Sequence, residues 1–280
     1  MKKNLCLLLL VCAFGTAEAQ GLGVEFKKID ECSMLFLYNY QFCDEHKNPA
    51  SVKSCEMLLE VGRRYSKFYL LNKAFFDSLL MLHANEPPET LVAKILPQII
   101  GSFTHSFCDY YIFKNYPASG TTAFLASLVL AGSYRVEEKL ELEWEIDNGA
   151  PMVILGLNCK KATCRFAGRS YEAWFTPDIP INDGPYKFSG LPGLIVKVQD
   201  SGNEHIFTLQ EIKKGNNEAM YFPEKDYTAT TAQGFTKALE NSKIPMIEQM
   251  KSATQISGDP DAIPRAIARL QRQNNFIERY

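Results

Sequence analysis

The chain lacks a net excess of charge, and it lacks the short motifs that mark metal, redox and phosphate sites. Its 280 residues include 30 Lys and Arg, 32 Asp and Glu and 4 His, which gives a formal net charge of −2. A nucleic-acid-binding protein usually carries a clear basic excess, so no nucleic-acid partner is expected. HExxH, CxxC and P-loop sequences are missing, so the sequence predicts no metal site, no cofactor and no catalytic residue.

Apolar runs long enough to span a bilayer are also missing. A short apolar run from Leu5 to Phe14 follows Lys2 and Lys3, and it ends at the small residues around Ala19. This order of a basic, an apolar and a small-residue segment is typical of a secretory signal peptide. We therefore expect residues 1–19 to be removed after Ala19. The mature chain is expected to be periplasmic or otherwise exported, without a transmembrane segment.

Cleavage would leave six cysteines, an even number that favours disulfides in an exported chain. Cys43 and Cys55 flank a polar loop between two apolar runs. If these runs form a hairpin with the two cysteines directly opposite, their Cα atoms lie within disulfide range. Cys43 and Cys55 are therefore the predicted disulfide pair. A redox or metal-binding role for the cysteines is the alternative.

Short apolar runs separated by turn residues fill most of the chain, as is typical of antiparallel sheets. Apolar residues recur at helical spacing near residues 73–100, and the pattern becomes helical again from residue 232. We expect an α+β fold whose curved antiparallel β-sheet is similar to a half-barrel. Its β domain covers residues 20–226 and contains the helical insertion near 73–100. A helical or irregular C-terminal segment, interrupted at Pro245, covers residues 227–280.

The most distinctive segment is residues 184–195, Gly-Pro-Tyr-Lys-Phe-Ser-Gly-Leu-Pro-Gly-Leu-Ile, hereafter the motif. Its residues 191–194 fit a type II turn, because proline sets φ at the second position and glycine supplies a positive φ at the third. Gly190 would let a backbone or an aromatic ring approach closely. Phe188, Leu191 and Leu194 are the expected core anchors. The segment is either a rigid turn that enters a strand at Leu194 or the rim of an apolar cleft.

The motif and several other stretches resemble the GLPGLI family of exported proteins from Gram-negative bacteria. The matching stretches are Trp144, residues 159–163, 166–181 and 184–195, a Ser-Lys-Phe-Tyr stretch at 66–69, and an Asn-Asn-Phe-Ile-Glu end at 274–278. The resemblance implies a periplasmic or outer-membrane-associated protein of unassigned biochemical function. Some members look linked to TonB-dependent outer-membrane transport. The family brings no catalytic residues.

Two functional hypotheses follow. The first is a cell-envelope binding or accessory protein, which would bind a peptide, a hydrophobic ligand or an outer-membrane transporter. The second is a periplasmic hydrolase that uses Asp178 or Asp183, although aspartates in turns commonly cap their own backbone. Arg169 would bind a carboxylate or have a local partner, and Trp174 would rim the cleft or belong to the core. The predicted cleft residues are Arg169, Trp174, Asp178, Phe188, Gly190, Leu191, Pro192 and Gly193.

Overall fold

The computed structural model describes residues 24–82, 109–147, 149, 151–252 and 261–280. The predicted signal peptide, the second half of the predicted insertion, and Cys108 lie outside these residues. The strands in the described part are β1 Glu25–Glu31, β2 Met34–Cys43, β3 Val52–Val61, β4 Ser66–Leu70, β5 Tyr110–Lys114, β6 Thr121–Leu128, β7 Gly132–Lys139, β8 Glu145–Ile146, β9 Met152–Ile154, β10 Leu157–Phe166, β11 Arg169–Thr176, β12 Leu194–Asp200, β13 His205–Lys214, β14 Ala219–Glu224 and β15 Thr228–Thr230. The helices are α1 Leu71–Leu82, α2 Ala232–Asn241, α3 Lys243–Ser252 and α4 Ala262–Arg272.

Within the described ranges, thirteen strands form one open sheet in the order β15-β7-β6-β5-β4-β3-β2-β13-β12-β11-β10-β8, with β9 also paired to β10. Neighbours in this sheet are antiparallel except β15 and β7, which run parallel. β1 and β14 form a separate two-stranded sheet. The predicted α+β class with an open antiparallel sheet is confirmed. Strands β1, β14 and β15 were not predicted from the sequence.

The connection between β11 and β12, which contains most of the motif, fills the concave side of the half-barrel. Lys114 of β5 contacts Asp183 of this connection, although β5 and β12 are five strands apart in the sheet. In a flat sheet this separation would be about 24 Å. Buried residues from β2 to β7, from β10 to β13 and from the motif belong to one core cluster. The motif is therefore enclosed by strands from both ends of the sheet.

The main core forms because successive side chains along each strand point to opposite faces of the sheet. Phe36, Tyr38, Tyr40 and Phe42 of β2 are spaced two residues apart, so they point to the same face, and all four are buried. Burying each such aromatic side chain contributes roughly 1.5–3 kcal/mol. β5 is buried on both faces, because the β1–β14 sheet packs a second apolar cluster against its convex side.

The C-terminal segment is helical, but its interruption is not where it was expected. The interruption lies at Ser242 and not at Pro245, because α2 ends at Asn241 and α3 begins at Lys243. Pro245 lies in the first turn of α3, where a missing backbone N–H costs little. None of α2, α3 and α4 contains a fully buried residue. No helix in the described ranges is long and apolar enough to cross a membrane.

The register of the β2–β3 hairpin does not form the predicted disulfide. Cys43 pairs with Val52, and Cys55 pairs with Tyr40, so the two cysteines are not directly opposite. The reason is that the polar loop ends early, in a short 3-10 helix at Pro49–Ser51, and β3 begins immediately after it.

Free thiols are found at all five cysteines of the described part, which are Cys32, Cys43, Cys55, Cys159 and Cys164. Burial raises the pKa of the Cys32 and Cys164 thiols to about 12. A thiol must ionise before it reacts or binds a metal, so these two cysteines are unreactive at neutral pH.

Candidate functional site

The turn at the centre of the motif is tighter than predicted. The Gly193 N–H donates to the Leu191 carbonyl at 2.8 Å, which makes a γ-turn with Pro192 at its centre. A type II turn would instead bond the Leu194 N–H to the Leu191 carbonyl. That N–H donates to the Ile179 carbonyl at 3.0 Å, so the predicted type II turn is wrong. The bond to Ile179 ties the start of β12 to the start of the same connection.

Gly193, in the turn, and Gly190, just before it, both have positive φ values, but only Gly193 is required by a close contact. A Cβ atom on Gly193 would lie 2.1 Å from the carbonyl oxygen of Thr176, and its φ is +145°. Gly193 is therefore required by a close backbone approach. A Cβ on Gly190, whose φ is +98°, would lie 3.6 Å from the Trp144 ring. The predicted approach of an aromatic ring at Gly190 is confirmed, and the Trp144 Nε1 also donates to the Ser189 carbonyl at 2.8 Å.

The predicted anchors are core residues. Phe188, Leu191 and Leu194 are 0%, 1% and 0% exposed. The Phe188 ring packs against Tyr171, with 4.7 Å between the ring centroids. Phe188 and Leu191 therefore do not line a cleft, because their side chains are used to fix the motif inside the half-barrel.

The remaining predicted cleft residues do not converge either. Gly190, Pro192 and Asp178 are exposed. Trp174 is half-buried, and its ring lies between two ammonium groups, 5.8 Å from Lys161 and 4.9 Å from Lys197.

A buried ion pair holds the entry to the motif. The Lys114 ammonium contacts the Asp183 carboxylate and donates to the carbonyls of Gly184, at 2.6 Å, and Phe188, at 3.2 Å. Burial lowers the pKa of Lys114, and the negative charge of Asp183 opposes that change. With three acceptors around one ammonium, the pair fixes the backbone of the motif. Asp183 is therefore engaged in structure, whereas Asp178 is in solvent.

Arg169 is also a buried structural cation and not an exposed ligand-binding group. Its Nη1 donates to Asp200 at 2.7 Å and to Glu204 at 3.0 Å. Its Nη2 donates to the Asn275 side chain at 2.6 Å and to the Phe276 carbonyl at 2.7 Å. Arg169 thus joins the β12–β13 turn to the C-terminal residues.

Glu204 receives several hydrogen bonds at this junction. Burial alone would raise its pKa, but hydrogen bonds from the Lys47 N–H, Arg169 and His46 lower it to about 2. The Lys47 N–H lies 2.5 Å from the carboxylate and the His46 Nδ1 lies 2.8 Å from it. Glu204 is therefore ionised at neutral pH and holds the β2–β3 loop against β13.

Residues 273–280, hereafter the tail, pack back onto the motif. The Lys187 ammonium lies 2.6 Å from Glu278 and also contacts Glu138 of β7. The Tyr186 hydroxyl donates to Glu278 at 2.7 Å, and the Tyr171 hydroxyl donates to the Ile277 carbonyl at 3.1 Å. The tail and the motif therefore form one polar network inside the half-barrel.

A cavity of about 60 Å³ lies where the motif, the tail and α2 meet. Its sheet wall is largely aromatic, and its cover is the inner side of α2. The lining residues are Tyr40, Phe42, Asp44, Tyr110, Phe124, Val136, Tyr186, Lys187, His205, Ala232, Phe235, Thr236, Leu239, Asn275, Phe276, Ile277 and Glu278. None of the eight predicted cleft residues lines it.

Sequence reasoning missed the residues that build this region, which are Lys114, Lys187, Glu204 and Asn275. The resemblance at residues 274–278 was the available signal for the tail, but it carried no spatial information. No group of three or more His, Cys, Asp or Glu that could hold a metal occurs in the part of the chain described.

The comparisons with known proteins find a similar fold and, over part of the chain, a match to a family of unknown function. Residues 144–197 match the family described as "Protein of unknown function (Porph_ging)". This stretch contains β8 to β11 and the motif. No curated protein matches the chain.

The chain is similar in structure to PNGF-II, with a TM-score of 0.50 and 14% sequence identity. The match covers 76% of this chain and 34% of that chain, so this protein spans about a third of PNGF-II. A second crystal form of PNGF-II gives a TM-score of 0.49 with 15% identity, covering 76% of this chain and 33% of that one. At this identity the likeness shows a shared fold alone.

Proposed function

We propose that this protein is an exported cell-envelope protein of the GLPGLI type that binds a protein partner and performs no catalysis through its motif. The buried ion pairs of Asp183 and Lys187 support this proposal, because they engage in structure both Lys187 of the motif and the carboxylate that directly precedes the motif. The partner would be a segment of an envelope protein, such as an outer-membrane transporter, bound in an extended conformation.

The observation that carries the proposal is an exposed apolar edge of the sheet. Glu145 of β8 pairs with Thr163 of β10, and Met152 of β9 pairs with Cys159 of β10. β8 and β9 therefore both lie along the β10 edge of the sheet. Apolar side chains are exposed along this edge at Ile146, Met152, Val153 and Leu155. Exposed apolar edge strands are surfaces to which a further strand can add.

The charges beside this edge indicate a basic partner. In the segment before β9, the side chains of Leu140, Leu142 and Trp144 pack against the core. The alternate residues Glu141, Glu143, Glu145 and Asp147 are exposed, as expected for an extended chain. None of these four carboxylates forms an ion pair with another described residue. A partner strand with Lys or Arg at alternate positions would match this row in charge and in spacing.

The test compares how much of the partner is crosslinked to, and pulled down with, the wild type and two variants in the cell envelope. Val153→Lys places a positive charge on the edge, and we expect it to abolish capture of the partner. Val52→Lys is the matched control, because Val52 is 54% exposed and Val153 is 64% exposed, and Val52 lies on a different strand. Capture should weaken with added salt. Equal capture of one partner by wild type and Val153→Lys would contradict this surface.

A further inference from the structure

The cavity between the motif, the tail and α2 has the two parts expected of a small-ligand site. One wall is rigid, because Tyr40, Phe124 and Tyr186 are buried in the sheet and the motif. The other wall is α2, none of whose residues is fully buried. α2 contacts the sheet through Phe235, whose ring centroid lies 4.9 Å from that of Phe124. A helix held in this way can shift by a small amount to admit a ligand.

Two buried polar atoms at one end of the cavity have no well-formed hydrogen bond. The Nδ1 atom of His205 lies 2.7 Å from the Tyr40 hydroxyl, whereas its Nε2 atom faces Asn275 without a well-formed hydrogen bond. Burial lowers the pKa of His205 well below its usual value, so the ring is neutral. Either neutral tautomer leaves Nε2 with an unused hydrogen-bonding capacity.

The second atom is Oδ1 of Asp44, which is buried and has no partner, whereas Oδ2 of the same carboxylate contacts Lys53 and Gln273. His205 pairs with Phe42 in the sheet, and Asp44 is two residues further along the same chain. The two unused polar atoms therefore lie at the same end of the cavity. A buried polar atom without a hydrogen bond destabilises the fold, so a ligand that bonds both atoms recovers that free energy.

We propose that this cavity binds a small uncharged ligand with an apolar body and one hydroxyl or carboxamide group. The aromatic wall and the apolar side of α2 would enclose the body, and the polar group would bond to His205 and Asp44. The volume, about 60 Å³, accommodates roughly four to six water-sized groups. A charged ligand is disfavoured because an ion loses its hydration on burial. This site is separate from the sheet edge and stands without the proposed function.

Three isosteric probes test the ligand class. Isobutyramide has the branched apolar body and an amide. 3-Methylbutan-2-one replaces the amide NH₂ with a methyl group, and isobutyrate replaces it with a charged oxygen. Titration of ¹⁵N-labelled protein should give saturable NMR shifts at the cavity residues with isobutyramide. The ketone should bind at least about fivefold more weakly than isobutyramide, because one polar atom stays unpaired. Isobutyrate should give no saturable shift.

Two alanines of α2 supply matched variants. Ala232 lines the cavity, whereas Ala238 is on the same helix and does not. Leucine is a good helix former, so neither substitution should unfold α2. Ala232→Leu should abolish the saturable shifts, and Ala238→Leu should preserve them. If Ala232→Leu does not fold, Thr236→Leu fills the same cavity.

Three results would overturn the proposal. The first is an isobutyramide titration of the wild type that does not saturate, which means that the cavity holds water only. The second is equal affinity for the amide and the ketone, which means that His205 and Asp44 recognise nothing. The third is unchanged binding by the variant that fills the cavity, which places the probe elsewhere.

Discussion

The connection between β11 and β12 packs against the main core, as does α2, but this connection and the helices α2 to α4 are held differently. In the connection, Phe188, Leu191 and Lys187 are buried. The Lys114 ammonium fixes its backbone, and the Lys187 ammonium ties it to Glu278 of the tail. In the helices no residue is fully buried, and the Arg265–Asp261 ion pair of α4 is exposed. The contrast indicates that stability is concentrated in the connection, whereas the helices form an adjustable cover.

Matched truncations of one aromatic residue in each region would test this contrast most strongly. Phe188→Ala should lower the free energy of unfolding by about 3–5 kcal/mol, because it opens a cavity in close-packed core. Phe235→Ala should lower it by about 1–2 kcal/mol, because the ring is only partly buried. Urea denaturation of both variants at neutral pH measures the two values. Similar losses would mean that α2 is as tightly packed as the motif.

The next largest change in stability is expected at the buried ion pair between Lys114 and Asp183. Asp183→Asn leaves the Lys114 ammonium buried without its carboxylate, and it should destabilise the fold by about 3 kcal/mol. Asp178→Asn, at an exposed position five residues earlier, should change stability by no more than about 0.5 kcal/mol. Thermal unfolding of the two variants separates these outcomes. A neutral Asp183→Asn would show that Lys114 does not depend on this partner.

A smaller effect concerns pH and the junction at Glu204. Its pKa is lowered from 4.5 to about 2 in the folded chain, so ionised Glu204 stabilises the fold above pH 4.5. This contribution should be lost as the pH falls from about 4.5 to about 2, and we expect about 1–2 kcal/mol after solvent screening. Urea unfolding of wild type and Glu204→Gln over this range measures it. The variant should lose less stability on acidification, and parallel curves would contradict the assignment.

The features that could be predicted from the sequence depend on residues close together in the chain. The turn Ala167-Gly168 between β10 and β11 is an example, because both residues have positive φ, +45° and +75°, which suits a two-residue hairpin turn. The burial of Phe188, Leu191 and Leu194 also followed from the spacing of apolar residues around turn residues. The strands of the main sheet other than β15 were predictable for the same reason.

The features that could not be predicted depend on distant partners. Arg169 is bonded to Asp200, which is 31 residues away, and to Phe276, which is 107 residues away. Nothing in the local sequence distinguishes this arginine from an exposed one. The γ-turn at Pro192 likewise depends on Ile179, which takes the hydrogen bond that a type II turn would use.

The position of the tail has a consequence for the order in which the molecule can be assembled. Asn275, Phe276 and Glu278 supply partners for the buried charges of Arg169 and Lys187. Each of these partners follows its cation by more than 90 residues in the chain, so it is synthesised later, and until it arrives the cation would be buried without part of its compensation. The inner end of the half-barrel should therefore stay hydrated and open until residues 275–278 have been made, and their docking closes this region.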